Sequence, residues 1–188
     1  MINAIIKVLL NKKLIVALSK LFLRVQVKGL DEIKNLQGKV LFIANHNSFI
    51  DTFLLWAFIP ENLCFTINPI IAKKWYIKPL LNITKFFKIE PNKPMAVKSI
   101  IKEINSGQKL VIYPEGRVTS TGNMMKIYPG PAVIADKTDA YIVPIHIDGT
   151  QYTTFSYYGN KVKIKPKIKV VVNIFKPTKL NVDENLKG

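Results

Sequence analysis

Val40-Leu41-Phe42-Ile43-Ala44-Asn45-His46-Asn47-Ser48-Phe49-Ile50-Asp51 joins an apolar run to a polar box. A short apolar run followed by turn-forming residues reads as a buried strand of an α/β sheet. His46 then emerges at the strand end, where such sheets build their sites. The next stretch, Phe49 to Ile59, is stopped by Pro60 and reads as a helix. Ser48 as its N-cap and Asp51 at N3 make a capping box. Residues five apart on a continuous helix diverge, so His46 meets Asp51 only if it lies outside the helix and Asp51 within the first turn. The box therefore has two readings: a helix cap with an idle histidine, or a carboxylate orienting a base.

Working outward, Arg24 to Gly29 alternates as a short strand, and Leu30 to Gly38 is a polar connection into strand Lys39–Ala44. Leu63 to Ile67 is another strand, followed by helical pieces near Ile70–Trp75 and Pro79–Lys85 and an extended Phe86–Glu90. Met95 to Asn105 is an amphipathic helix ended by Gly107, and Lys109 to Tyr113 is a buried strand. A long loop, Pro114 to Pro129, precedes a helix near Gly130–Lys137 and strands at Ala140–Ile147 and Lys167–Phe175. A loop of that length in a compact domain is more often functional than idle. The alternation predicts an α/β fold: one sandwich domain whose largely parallel or mixed central sheet is flanked by helices.

At 188 residues the chain suits one domain with a sizeable core. Residues 1–24 form a separate N-terminal element, with apolar positions interrupted by Lys7, Lys12, Lys13 and Lys20. No run there approaches the ~20 apolar residues that cross a bilayer. It reads as an amphipathic helix lying in a membrane interface, with packing on the domain's own core as the alternative. Residues 25–188 are expected to make the main domain.

The formal net charge of +16 calls for anionic partners: nucleic acid, an anionic membrane surface, or phosphorylated substrates. The single cysteine, Cys64, rules out an internal disulfide and any multi-cysteine metal site, and reads as core. Lys161 to Lys169 alternates lysine with apolar residues, which suits an edge strand or a face toward anionic lipid.

A second constellation, Pro114-Glu115-Gly116-Arg117, follows the apolar strand Leu110-Val111-Ile112-Tyr113. If the two strands are parallel, His46 and Arg117 open on one rim of the sheet. Arg117 offers a rigid fork for phosphate, Gly116 permits close backbone approach, and Lys126 adds a further charge along the loop. A plain turn with an exposed arginine is the alternative.

With both boxes in hand, the chain resembles the glycerolipid acyltransferases that include 1-acylglycerol-3-phosphate acyltransferase. Asn45-His46-x4-Asp51 matches their first motif. Pro114-Glu115-Gly116-Arg117 is similar to their Pro-Glu-Gly-Thr-Arg motif, one residue shorter. Lys126-x3-Gly130-x4-Ala135 and Val143-Pro144-Ile145 match later landmarks, so the likeness spans roughly Val25 to Pro177. Within the family, Asn92–Lys98 and Met124–Tyr128 look most like the acyltransferase portion of bifunctional 2-acylglycerophosphoethanolamine acyltransferase/acyl-carrier-protein synthetases. Where many members carry an arginine in the second motif, Ile89-Glu90-Pro91 offers Pro91, which leans toward a zwitterionic acceptor.

The resemblance implies acyl transfer from an acyl-ACP or acyl-CoA thioester to the free hydroxyl of a lysophospholipid. The acceptor is expected to be 2-acylglycerophosphoethanolamine, with 1-acylglycerol-3-phosphate as the alternative. His46 is the expected general base and Asp51 its orienting partner. Glu115, Gly116, Arg117 and Lys126 are the expected substrate-binding residues, and N–H groups near Ser48 are candidates for the oxyanion. No metal or cofactor is expected. An acyl-ACP synthetase domain is a conceivable partner, and the place is the cytoplasmic face of a membrane, held peripherally. Two other classes compete. One is a basic nucleic-acid-binding module using Tyr152, Phe155, Tyr157 and Tyr158 as a stacking surface; the other is an idle lipid-binding domain.

Overall fold

Strand β2 (Val40–Ala44) lies at the middle of the sheet, and Val40, Leu41 and Phe42 are fully buried. The computed structural model describes residues 12–82, 84–89, 94–158 and 168–180. The other strands are β1 (Gln26–Lys28), β3 (Leu63–Ile67), β4 (Lys85–Lys88), β5 (Lys109–Ile112), β6 (Tyr141–Asp148) and β7 (Val171–Ile174). Their order is β1-β7-β6-β2-β5-β3-β4. Strands β6, β2, β5, β3 and β4 run parallel; β7 is antiparallel to β6, and β1 is parallel to β7. The sheet is thus mixed, as the strand–helix alternation allowed.

Helices cover both faces. Helix α1 (Lys12–Leu23) packs on α2 (Asp51–Phe58), and the short α3 (Pro69–Ala72) and α4 (Lys78–Leu81) follow β3. Helices α5 (Pro94–Asn105) and α6 (Gly130–Thr138) pack on one another. The alternating side chains of the strands sort the core accordingly. Phe42, Ala44, Phe65 and Val111 meet Leu54 and Leu55 of α2 on one face. Leu41, Cys64, Leu110 and Ile112 meet Ile100 and Ile104 of α5 and Ile134 of α6 on the other. This is the two-faced burial that makes parallel strands read as unbroken apolar runs.

The crossovers decide where a site belongs. The connection after β2 runs through α2 on one face; the connection after the adjacent β5 runs through α6 on the opposite face. Neighbouring parallel strands whose connections part this way leave a crevice at their carboxyl ends. His46 and Gly116 both line that crevice, because Ile43 of β2 is in register with Ile112 of β5.

Several expectations are corrected. Helix α2 begins at Asp51 instead of Phe49, and its first residues are a turn. The segment after β3 breaks into α3, a 3-10 turn at Trp75–Ile77, and α4. Strand β7 begins at Val171 and lies inside the sheet, between β1 and β6. Most of the lysine stripe Lys161–Lys169, residues 161–167, lies outside the described residues, as do residues 1–11 and Pro91. Cys64 is buried core, and burial pushes its thiol up to about 11.

Candidate active site

Asp51 sits at the first position of α2 and is wholly buried. Its Oδ2 accepts hydrogen bonds from the backbone N–H groups of Asn47 (2.7 Å) and Ser48 (2.8 Å). The same oxygen lies 3.0 Å from His46 Nδ1. The capping box is therefore only half made. The carboxylate reaches back to the Ser48 N–H, but Ser48 Oγ pairs with Thr153 Oγ1 at 3.2 Å and accepts only weakly from Ile50 N–H. The N–H groups near Ser48 are spoken for by Asp51, and that of Phe49 donates to the Phe155 carbonyl. They are not open to a substrate oxyanion, contrary to expectation.

His46 is held from several sides. Its N–H donates to Glu115 Oε1 at 3.0 Å, and its carbonyl accepts from Thr119 N–H at 2.8 Å. The other Glu115 oxygen accepts from Met125 N–H at 2.9 Å. Glu115 is 3% exposed and is not among the residues lining the cleft. Its carboxylate straps the two ends of the Pro114–Pro129 loop to the backbone of His46. The imidazole also stacks on Tyr113, with ring centres 3.9 Å apart and planes 14° apart. The Tyr113 hydroxyl bonds Thr52 Oγ1 at 3.0 Å. Burial, with Asp51 nearby, pushes the phenol above its ordinary range, so it stays protonated.

Strand ends are fastened similarly. The Asn45 side chain donates to the Ile147 carbonyl (2.8 Å) and accepts its N–H (2.7 Å), which ties β2 to β6. Asn47 Nδ2 donates to the same carbonyl at 2.7 Å. Gly149 follows with φ +94°, where any side chain would collide with the Lys169 carbonyl.

A cleft of ≈ 280 Å³ opens over His46, with Thr52, Asn68 and Arg117 in its polar lining and Ile71, Ile77, Leu80 and Phe86 in its apolar lining. Gly116 lines it too, at φ +67°, a left-handed conformation that favours glycine. Arg117 is exposed. Lys126 is exposed on the same loop, its ammonium 5.4 Å from the ring centre of Tyr128. A smaller cleft of ≈ 130 Å³ shares Thr66, Ile67, Asn68, Tyr113 and Gly116 but lies against Val97, Ile100 and Ile134 on the opposite sheet face. Tyr157, named above as a possible nucleic-acid stacking residue, instead lines the first cleft and meets Phe49 edge-on at 5.4 Å.

Of the expected site residues, His46, Asp51, Glu115, Gly116 and Arg117 converge on one rim. Tyr113, Thr52, Thr119 and Asn47 were not expected. Tyr113 had a visible signal, an aromatic residue directly before Pro114; the others had none.

The family model described as Acyltransferase matches residues 24–148. The chain belongs to the acyltransferase family. A 1-acyl-sn-glycerol-3-phosphate acyltransferase of Cocos nucifera is 30% identical over 75% of this chain and 46% of its own length. One from Helicobacter pylori is 26% identical over 57% of this chain and 48% of its own. The chain thus spans about half the length of these curated relatives. Among solved structures, the 1-acyl-sn-glycerophosphate acyltransferase PlsC from Thermotoga maritima superposes with a TM-score of 0.60 at 22% identity. That match covers 86% of this chain and 65% of PlsC, and it shows the same fold. Membership in the acyltransferase family makes a stand-alone nucleic-acid module the wrong class for this domain.

Proposed function

We propose that this acyltransferase domain moves a fatty acyl group from a thioester, on acyl carrier protein or coenzyme A, to the free hydroxyl of a lysophospholipid. One observation carries the reading: His46 Nδ1 is committed to Asp51, so Nε2 is the ring nitrogen left to act in a cleft that Arg117 also lines. The acceptor hydroxyl gives its proton to Nε2 as its oxygen attacks the thioester carbonyl. The tetrahedral intermediate then collapses, the C–S bond breaks, and the imidazolium returns the proton to the thiolate. General-base assistance of this kind is worth about 10²–10⁴-fold. Asp51 fixes the tautomer and balances the imidazolium, and the face of Tyr113 supports the same charged ring. Arg117, with Lys126 reaching from the same loop, takes the acceptor phosphate. The apolar linings suit acyl chains.

Two acceptors are supported by different observations. The names of the curated relatives favour 1-acylglycerol-3-phosphate. The likeness at Asn92–Lys98 and Met124–Tyr128, with Pro91 where many members have arginine, favours 2-acylglycerophosphoethanolamine. The enzyme acts peripherally at the cytoplasmic face of a membrane; no helix among the described residues is long and apolar enough to cross one.

The test compares wild type, His46→Ala and Arg117→Ala with both lysophospholipids and one donor. His46→Ala is expected to lose nearly all turnover, and near-normal turnover refutes the base. Arg117→Ala is expected to raise the acceptor KM; a pure kcat effect argues against a phosphate clamp.

A further inference from the structure

The carboxyl and amino rims of the sheet differ in surface chemistry. Large exposed apolar side chains gather on segments that reach the carboxyl rim, where the cleft opens. Ile70 (69% exposed) and Trp75 (79%) follow β3, Met124 and Ile127 follow β5, and Phe155 follows β6. Leu21 and Phe22 join them from the end of α1, beside the Leu23 carbonyl that accepts from Val170 N–H just before β7. The connections at the amino rim, residues 29–39, 59–62, 106–108 and 137–140, carry no exposed large hydrophobic residue, although the segment after β7 runs along β6 to that rim with Phe175 and Leu180 exposed.

Acidic side chains lie mostly on the amino side. Asp31, Glu32, Glu61, Glu103, Asp136 and Asp139 lie toward the amino rim, where Lys34, Lys39 and Lys137 offset them, while Asp148 ends β6 at the carboxyl rim. The described carboxyl-rim segments 68–81 and 114–129 hold one acid, the buried Glu115, against exposed Lys73, Lys74, Lys78, Arg117 and Lys126. Segment 69–81 has two sides: Ile71, Ile77 and Leu80 line the catalytic cleft, while Ile70, Lys73, Lys74 and Trp75 face outward.

We propose that this carboxyl rim docks on an anionic lipid surface, with Ile70 and Trp75 entering the interface beside the mouth of the cleft. Apolar side chains interleaved with lysine are the composition that binds anionic bilayers, because burial and Coulomb attraction act together. The location follows from the lysophospholipid reading: an acceptor in the bilayer then passes from lipid to cleft along the inner side of segment 69–81 without crossing water. A tryptophan at the rim suits the interface, since its large ring is mostly apolar with one polar end.

The experiment uses the full chain and vesicles of phosphatidylcholine with or without phosphatidylglycerol. Trp56 and Trp75 are the two tryptophans, so in Trp56→Phe only Trp75 reports. Its emission should shift to the blue and be quenched by lipids brominated along their acyl chains, provided phosphatidylglycerol is present. Ile70→Ser/Trp75→Ser should weaken vesicle binding by about tenfold or more. It should lower acylation of vesicle-borne lysophospholipid similarly, yet leave that of a monomeric short-chain lysophospholipid within about twofold, since neither residue lines the cleft. Unquenched Trp75 together with unchanged vesicle binding by the variant overturns the proposal. So does a variant that keeps vesicle binding but loses binding to acyl carrier protein, which assigns this face to the donor. If wild type acylates neither presentation of the acceptor, the enzymatic reading fails, while Trp75 quenching still reports docking by itself.

Discussion

Replacing Glu115 by glutamine removes one acceptor from a buried strap while keeping its shape. In the native chain both carboxylate oxygens are used, one by His46 N–H at 3.0 Å and one by Met125 N–H at 2.9 Å. Glutamine has one carbonyl oxygen, so its NH2 must face whichever N–H is left. Hydrogen bonds to a charged group contribute about 1.5–3 kcal/mol, and a stranded buried donor costs about 1–3 kcal/mol. Those ranges describe the same lost bond from two sides, so they are not summed, and a net loss of about 2–3 kcal/mol follows. For a chain of this size each kcal/mol shifts Tm by roughly 2–4 °C, giving a fall of about 4–12 °C. The backbone of His46 also loses its anchor, so kcat should drop about tenfold or more with little change in acceptor KM. Thermal unfolding and steady-state kinetics on Glu115→Gln read both. A native Tm combined with a raised KM refutes the strap and returns Glu115 to the substrate.

Asp51→Asn keeps an oxygen for the three donors but loses the charge that balances an imidazolium. Single-turnover acylation should slow about 10²–10⁴-fold while the fold persists; an unchanged rate removes Asp51 from the mechanism. Tyr113→Phe retains the ring beneath His46 and loses only the Thr52 bond, so stability should fall by about 1 kcal/mol and kcat by little. Tyr113→Leu removes the stacked face and should lower kcat more than Tyr113→Phe does, with a changed pH profile; equal effects refute the platform. Cys64 titrates near 9.0 in an unfolded chain and about 11 when folded, so the folded state keeps its proton longer. Stability should therefore fall as pH rises from about 9 toward about 11. Urea midpoints of wild type and Cys64→Ala should converge across that window, and parallel curves refute the assignment.

The apolar runs Val40–Ala44 and Lys109–Tyr113 identified central strands correctly because a parallel strand is buried on both faces and leaves no polar alternation to confuse the period. The ends of helices were less legible. Ser48 looked like an N-cap by local pattern, but a tertiary partner, Thr153, occupies its hydroxyl, and the helix starts three residues later. Glu115 shows the limit most clearly. Its place beside Arg117 suggested contact with substrate, and only the adjacency of β2 and β5 reveals that it binds the backbone of His46, sixty-nine positions earlier.

His46-x4-Asp51 and Glu115-Gly116-Arg117 were thus written into the sequence as chemistry, because each box is local and follows a strand with an unmistakable apolar signature. Their alliance was not. It depends on two strands far apart in the chain becoming parallel neighbours, with crossovers leaving to opposite faces. The stacking of Tyr113 on His46, the fastening of Asn45 and Asn47 to Ile147, and the gathering of exposed apolar side chains such as Ile70 and Trp75 near the carboxyl rim arise only then. Local composition chooses strands and boxes; long-range register decides which side chains meet and which way the molecule faces.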